Sequence, residues 1–443
     1  MITKKDSKSI YHVLNLLSVF EEHNYNIRMV GGCVRDRLLG LVPKDYDLAT
    51  NAKPKEIIKI LTARKIKFIK TGLDYGTITA VFDSGLVEIT TLRKDIETYG
   101  RHAKVEFGHS FVEDAARRDF TINALSEDVN GKVYDYFNGE KHLREKKIIF
   151  VGEASKRIKE DYLRILRYFR FKSRFNLIGD NKTEEDIKKN RDGLKQISPE
   201  RIIKELDLIT SSQHNSSVLK LMHKLSLWPY LFPFIDESNL NSKKFFEKSF
   251  TFIEKINSFP SNIRLEILIA TLLLLEEFFS TAEQNKNSKS EIDGVCKQVK
   301  LSNRSCKQLQ TLLLEYGYLR IAYFDRANDL LFVEKIERCG ENFFQDIALP
   351  FWTEFSKITQ EKFVLNRLNE VFENEKSFRQ LRLNTPPITA GFIIEKTKLK
   401  PGPKIGKIFK QLRIAYLNGK ISTEEDGARY LEEMLKIAKN SFI

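Results

Sequence analysis

Ile10, Val13, Leu14, Leu17 and Phe20 recur in steps of three and four, which puts them on one helical face and predicts an amphipathic helix at the start of the chain. The apolar run Ile27-Arg28-Met29-Val30 predicts a strand, and the pair Gly31-Gly32 a turn before a helical segment over residues 34–39. Pro54 stands where a helix tolerates proline, in its first turn, and Ile57, Ile58 and Leu61 carry that helix on. Strand signals then crowd together: Ile66-Lys67-Phe68-Ile69, residues 77–82, a turn at Asp83-Ser84-Gly85, and residues 86–92. Residues 1 to about 140 read as a mixed α/β unit with a largely antiparallel sheet. After Phe150 strand patterning becomes scarce. Helical stretches such as 263–278 and 307–319 dominate, with a polar loop expected over 285–291 and no fixed-period repeat. The expected class is α+β, an α/β head followed by a helical body.

At 443 residues the chain exceeds what one core serves, so two or more units are expected. Lys and Arg number 74 against 60 Asp and Glu, and the formal charge of +14 favours a polyanionic partner, nucleic acid or an anionic membrane. Mean hydropathy is negative, as for a soluble globular protein. The longest apolar run, 267–275, is too short to span a bilayer, and the start of the chain, with Lys4, Lys5 and Asp6, lacks an apolar signal core, which implies the cytoplasm. Cys33, Cys296, Cys306 and Cys339 show no C-x-x-C spacing and read as reduced thiols. The seven histidines form no HxxxH or His-Asp pair, which argues against a zinc site.

Asp45-Tyr46-Asp47 changes the picture most. Side chains at i and i+2 of a strand project from one face, so two carboxylates converge. That arrangement suits Mg²⁺, which takes few protein ligands and completes its octahedron with water and phosphate oxygens. Two such ions can clamp the attacking and leaving oxygens of an in-line phosphoryl displacement. An isolated D-x-D is commoner as a surface turn, but here Gly31-Gly32 stands upstream between a strand and a helix, where backbone N–H groups can cradle a triphosphate. Glu88, among β-branched residues of a predicted strand, reads either as an exposed strand acid or as a third carboxylate near the metals.

The blocks Val30-Gly31-Gly32-Cys33-Val34-Arg35-Asp36 and Lys44-Asp45-Tyr46-Asp47-Leu48-Ala49-Thr50 resemble the signature of the class II tRNA nucleotidyltransferase/poly(A) polymerase superfamily. Residues 113–125, Glu-Asp-Ala-Ala-Arg-Arg-Asp-Phe-Thr-Ile-Asn-Ala-Leu, are similar to its second motif, and 160–171, from Glu160-Asp161 to Arg170-Phe171, to its nucleotide-reading motif. Pro199-Glu200-Arg201-Ile202 through Glu205-Leu206 looks like the motif that follows, and Pro401-Gly402-Pro403-Lys404-Ile405-Gly406 like a C-terminal feature common in the family. The signature and the three motifs after it, up to Leu206, occur in family order across roughly residues 25–210, and 210–390 are recognisable only as helical. The resemblance implies a nucleotidyltransferase catalytic head over 1–148, an all-α neck with the nucleotide-recognition motif over 149–210, a helical body over 211–340 and a tRNA-binding helical tail over 341–443. It also implies Mg²⁺-dependent addition of C, C and A to the tRNA 3′ end from CTP and ATP without a nucleic-acid template, with CC-adding, A-adding and poly(A) polymerase relatives sharing the motifs. By position Gly32 and Arg35 match triphosphate contacts, Asp45 and Asp47 the metal ligands, and Arg118 a nucleotide contact. Asp161, Arg164, Arg167 and Arg170 match the base- and phosphate-reading set.

The residues support much of this chemistry directly. Asp161 and Arg164, three apart on a predicted helix, share a face. Cytosine offers an N4 amino donor beside the N3 acceptor, and adenine an N6 donor beside N1, so one acceptor–donor pair reads both, while uracil and guanine reverse the order. The alternative is an i,i+3 surface ion pair worth a few tenths of a kcal/mol. Arg117-Arg118-Asp119 reads as a charged turn, or as Arg118 on the triphosphate with Asp119 or Asn123 near the ribose. Arg167 and Arg170 continue the spacing of Arg164 as a solvated face or a phosphate rail. Residues 93–103, with Asp95 and Arg101, read as a mobile loop; in the family such a loop helps the switch from C to A, and its completeness implies full CCA addition. Lys398, Lys400, Lys404, Lys407 and Lys410 surround a helix start near Pro403, a phosphate-facing end or a solvated cap. Ser198 as N-cap with Pro199 at N1 makes the 199–206 motif read as structural.

Overall fold

The computed structural model describes residues 4–99, 102–107, 110–235, 243–279, 289–319, 343–362, 364–366, 368–369, 387–417 and 419–440. Contacts divide the chain into two compact units, Met1–Pro233 and Phe234–Ile443.

In the first unit the opening helix α1 (Lys4–Glu22) leads into β1 (Ile27–Val30), α2 (Gly32–Leu38), β2 (Tyr46–Thr50) and α3 (Pro54–Ala63). A meander of β3 (Lys67–Gly72), β4 (Thr77–Phe82) and β5 (Gly85–Thr91) follows, and β8 (Leu125–Glu127) and β9 (Val133–Asp135) complete a seven-stranded sheet ordered β3-β4-β5-β2-β1-β8-β9. Every neighbouring pair is antiparallel except β2 with β5. Strand alternation decides what each face carries. Tyr46 and Leu48 turn into a core with Leu17 and Phe20 of α1 and Ile57 and Leu61 of α3, which sends Asp47 and Ala49 to the opposite face. The parallel register sets Asp47 beside Glu88 of β5, so those two acids share that face. Asp45 lies one residue ahead of β2 rather than within it.

Beyond the sheet, α4 (Phe111–Ala116) starts with Ser110 and Glu113 in a reciprocal capping box. A 3₁₀ turn, Thr121–Asn123, then carries the chain to β8, and α5 (Gly139–Arg144) follows β9. The helices α6 (Ala154–Glu160), α7 (Leu163–Phe175), α8 (Asn181–Asn190), α9 (Pro199–Thr210), α10 (Asn215–Lys224) and α11 (Trp228–Leu231) finish this unit. Phe120 packs on Phe150 with ring centroids 4.6 Å apart, and both rings neighbour Tyr168 of α7, so an aromatic cluster fastens that helix to the segment after α4. In the second unit, helices Lys243–Lys255, Arg264–Phe279, Asn303–Leu319 and Leu349–Thr359 supply buried Phe252, Tyr316, Phe351, Trp352 and Phe355. Ala390–Thr397, Pro403–Leu417 and Glu424–Asn440 share a separate core around Ile393, Leu412 and Leu431. Among the described residues no helix is long and apolar enough to cross a membrane.

Several expectations need correction. Residues 93–99 and 102–103 belong to a two-stranded ribbon of β6 (Arg93–Tyr99) and β7 (His102–Phe107), because cross-strand pairing satisfies a polar backbone that has no apolar alternation to advertise it; Gly100 and Arg101 lie outside the described residues. Lys289, Ser290 and Glu291 open the helix Lys289–Gln298 instead of closing a loop. Cys296 and Cys306 form a disulfide with Cα atoms 5.7 Å apart, so those two are not reduced thiols; a helix–turn–helix brings them together, which short C-x-x-C spacing does not capture. Cys33 is a buried free thiol, and Cys339 lies outside the described residues. Ser198 and Pro199 occupy the cap and first positions of α9, though the Ser198 hydroxyl makes no cap hydrogen bond.

His223 of α10 is fully buried and accepts a 2.8 Å hydrogen bond at Nδ1 from the Trp228 indole N–H. Burial lowers its pKa from the usual 6.5 to about 4. As pH falls the unfolded chain takes the proton first, so this contribution is complete above 6.5 and lost on the way to 4. The expected loss across that window is about 3 kcal/mol. Urea unfolding of the wild type and His223→Asn, which keeps an acceptor for Trp228, should give a shallower pH slope between 4 and 6.5 in the variant.

Candidate active site

One cavity of about 650 Å³, within the size range of small-ligand sites, gathers most of the sequence-derived candidates. Gly32, Arg35, Asp45, Asp47, Arg118, Asp119, Asn123, Asp161, Arg164, Arg167 and Arg170 line it, together with Leu163, Phe171, Arg174 and Arg201. Gly31 and Glu88 do not. Gly31 lies behind the wall: its φ is +76°, and a Cβ there would stand 2.5 Å from a terminal nitrogen of Arg118. Glu88 meets Asp47 across the sheet register and stays exposed.

The lining is strongly cationic, and each guanidinium is held by a carboxylate. Asp36 accepts from Arg35 at 2.6 and 2.8 Å through one oxygen and from Arg174 at 2.9 Å through the other. Asp114 grips Arg117 and Arg118, the latter at 3.0 and 3.2 Å. Asp119 accepts from Arg167 at 2.7 Å, from the Asn123 amide at 3.0 Å and from the Phe120 N–H at 2.8 Å. Burial alone pushes the Asp119 carboxyl up, but Arg167 and these hydrogen bonds hold it down at about 2. Asn123 in turn accepts from Arg35. Arg170 approaches Glu205 to 3.2 Å without the alignment of a hydrogen bond, and burial, with Arg167 beside it, lowers its pKa to about 10.

The acids at the other end lack such cations. Asp47 is open to the cavity yet crowded by protein on its other sides, and its pKa is raised to about 6, first by that desolvation and then by the charge of Glu88, despite Arg118. A carboxylate pushed up by neighbouring carboxylates suits a cation, and hard oxygen donors suit Mg²⁺. Among the described residues no set of three or more acid, His or Cys side chains is arranged as a metal site.

Asp161 and Arg164 both reach the cavity, but not as a helical pair. Asp161 falls in the break between α6 and α7, in extended conformation, where it accepts from the Leu163 N–H at 3.1 Å and from Arg201 at 2.7 Å. Arg164 donates through one nitrogen to Glu160 at 2.5 Å and to the Arg157 carbonyl at 2.7 Å. The i,i+3 surface ion pair is therefore not what these residues form, because extended backbone at Asp161 ends the helical periodicity. Arg164, Arg167 and Arg170 have side chains 15, 32 and 19% exposed and each is paired, so they do not form a solvated face.

Residues 27–149 match the family described as poly(A) polymerase head domain, and 180–239 the one described as "Probable RNA and SrmB-binding site of polymerase A". A CCA-adding enzyme from Staphylococcus haemolyticus is 31% identical over 432 residues, covering 95% of this chain and 97% of that protein. The chain belongs to the CCA-adding enzyme family. Human mitochondrial CCA tRNA nucleotidyltransferase 1 is 44% identical over 221 residues, 49% of this chain, and this chain spans about half, 51%, of that protein's length. The crystal structure of Bacillus stearothermophilus CCA-adding enzyme in complex with CTP matches with a TM-score of 0.67 at 25% identity, covering 97% of this chain and 98% of that one.

In this CCA-adding enzyme fold, sequence reasoning missed Arg174, Arg201 and the acids that brace the arginines, Asp36, Asp114 and Glu160. Arg174 follows Arg170 by one helical turn, so carrying the period one step further would have found it. Arg201 and Glu205 sat in a motif read as structural; Arg201 in fact lines the cavity and Glu205 meets Arg170. A methyl group at Gly31 would force a left-handed backbone on alanine and displace Arg118. Gly31→Ala should destabilise by about 2 kcal/mol in denaturant unfolding. Gly294→Ala, on an exposed helical position with open space around it, should instead stabilise by up to about 1 kcal/mol.

Proposed function

We propose that this chain adds C, C and A to the 3′ end of tRNA from CTP and ATP, releasing pyrophosphate. The observation that carries this reading is a cavity that joins Asp45 and Asp47 to a wall of arginines, in a chain of the CCA-adding family. The terminal ribose 3′ oxygen attacks the α-phosphorus, the bond from that phosphorus to the bridging oxygen of the β-phosphate breaks, and pyrophosphate leaves. Asp45 and Asp47 would hold Mg²⁺, which when bound neutralises the phosphates and favours the ionised 3′ oxygen, with Glu88 supporting Asp47. Gly32, Arg35 and Arg118 hold the triphosphate, while Asp119 and Asn123 keep Arg167 and Arg35 in place beside the sugar. Asp161 accepts from the exocyclic amino group of cytosine or adenine, and Arg164, engaged elsewhere through only one terminal nitrogen, donates to the adjacent ring nitrogen. Positioning and charge neutralisation supply most of the acceleration.

The same reading takes 1–148 as the catalytic head, 149–210 as neck, 211–340 as body and 341–443 as the RNA-binding tail, in a cytoplasmic protein with tRNA, CTP and ATP as partners. The test offers tRNAs ending before CCA, after C and after CC with CTP, ATP or both, and sizes products to one nucleotide. Growth that stops at CCA is expected; CC alone, A alone or a long A tail would reassign the output, and no incorporation would overturn the enzymatic reading. Asp45→Ala should reduce incorporation by at least about a thousandfold without changing the melting temperature by more than a few degrees. Asp161→Ala should blur the preference for CTP and ATP over UTP and GTP, read as ratios of kcat/KM, more than it weakens tRNA binding.

A further inference from the structure

Six of the seven cavity arginines lie within the sequence blocks that resemble the family's motifs. Arg174 does not, and its surroundings differ from theirs. Arg118, Arg167, Arg170 and Arg201 each meet a carboxylate that no second arginine of the cavity uses. Arg35 and Arg174 share one: Asp36 takes Arg35 on one oxygen and Arg174 on the other, leaving a net positive charge beside Gly32. Each of these two guanidiniums also lies near the Phe175 ring, at 4.6 and 4.7 Å from its centroid, which fixes their planes without neutralising them. Arg35 is buried, whereas the Arg174 side chain lines the cavity and is 44% exposed. The repulsion between them is part of what lowers the pKa of Arg35, after burial.

We propose that Arg174 is a further phosphate ligand, seating the terminal phosphates of the incoming nucleoside triphosphate and the pyrophosphate that departs. The proposal rests on the reading of this cavity as a nucleotide site. A phosphate between Arg35 and Arg174 relieves their mutual repulsion and replaces the half share of Asp36 that each has now. The fork of a guanidinium suits two phosphate oxygens at once, which an ammonium cannot match. Because Arg174 meets the outer phosphates and not the base, its contribution is blind to the choice between CTP and ATP.

Equilibrium binding of CMP, CDP, CTP and inorganic pyrophosphate to the full chain, with Mg²⁺ and no acceptor RNA, tests this in the wild type, Arg174→Ala and Arg174→Lys. Affinity in the wild type should rise with phosphate number. Arg174→Ala should weaken CTP and pyrophosphate about tenfold while leaving CMP within about twofold, with Arg174→Lys in between. In steady state the KM values for CTP and ATP should rise by the same factor. Equal losses for CMP and CTP would make Arg174 a brace for Asp36 only, and unchanged CTP binding would also overturn the proposal. Wild-type protein that binds no nucleotide would overturn the nucleotide reading together with this one. A phosphate-dependent wild type with an unaltered Arg174→Ala would overturn this inference alone.

Discussion

The site depends on carboxylates placed behind guanidiniums. Bringing seven arginines to the wall of one cavity is costly by itself: two unit charges 5 Å apart repel by about 3 kcal/mol at an effective dielectric constant of 20. Asp36, Asp114, Asp119, Asp161, Glu160 and Glu205 cancel much of that repulsion, and all but Glu205 also fix the donors' directions. The arginines therefore face the cavity as oriented hydrogen-bond donors and not as a diffuse cloud of charge. Such preorganisation suits a ligand whose charge is spread over several oxygens.

The same pairs tie separate parts of the first unit together. Asp36 on α2 reaches Arg174 at the far end of α7, and Asp119, after α4, reaches Arg167 in the middle of that helix. Arg157 of α6 donates to the carbonyls of Arg117 and Arg118 and so fixes the turn from which Arg118 projects. Apolar packing of Phe120, Phe150 and Tyr168 supplies the cohesion, and the ion pairs set the angle at which α7 presents its polar side. Arg170 and Glu205 show the limit of this device, since burial opposes the charge of both and outweighs their attraction.

Local periodicity made the head legible. The opening helix, the strand before the glycine pair, Pro54 in its first turn and the β4–β5 hairpin all stand where alternation and turn residues put them. The face carrying Asp47 was legible for the same reason. Less visible were features set by distant partners. The pairing of β2 with β5 joins segments about forty residues apart, and no local pattern announces that it is parallel. Asp161 read as helical because Glu160 and Leu163 are, yet the chain breaks there so that its carboxylate can meet Arg201, forty positions on. The β6–β7 ribbon escaped notice because its residues carry too little apolar alternation to distinguish a strand from a loop.

The cavity takes its lining from positions as far apart as Gly32 and Arg201. During synthesis the chain emerges from its N-terminus, and the strands bearing Asp47 and Glu88 can pair once β5 is out. At that stage α2 has already supplied Arg35, but neither α7 nor α9 exists to supply Arg164, Arg167, Arg170, Arg174 or Arg201, so the wall of guanidiniums is incomplete. The complete lining therefore exists only once α9 has been made, so the finished site depends on the last of these elements and not on the folding of the sheet alone.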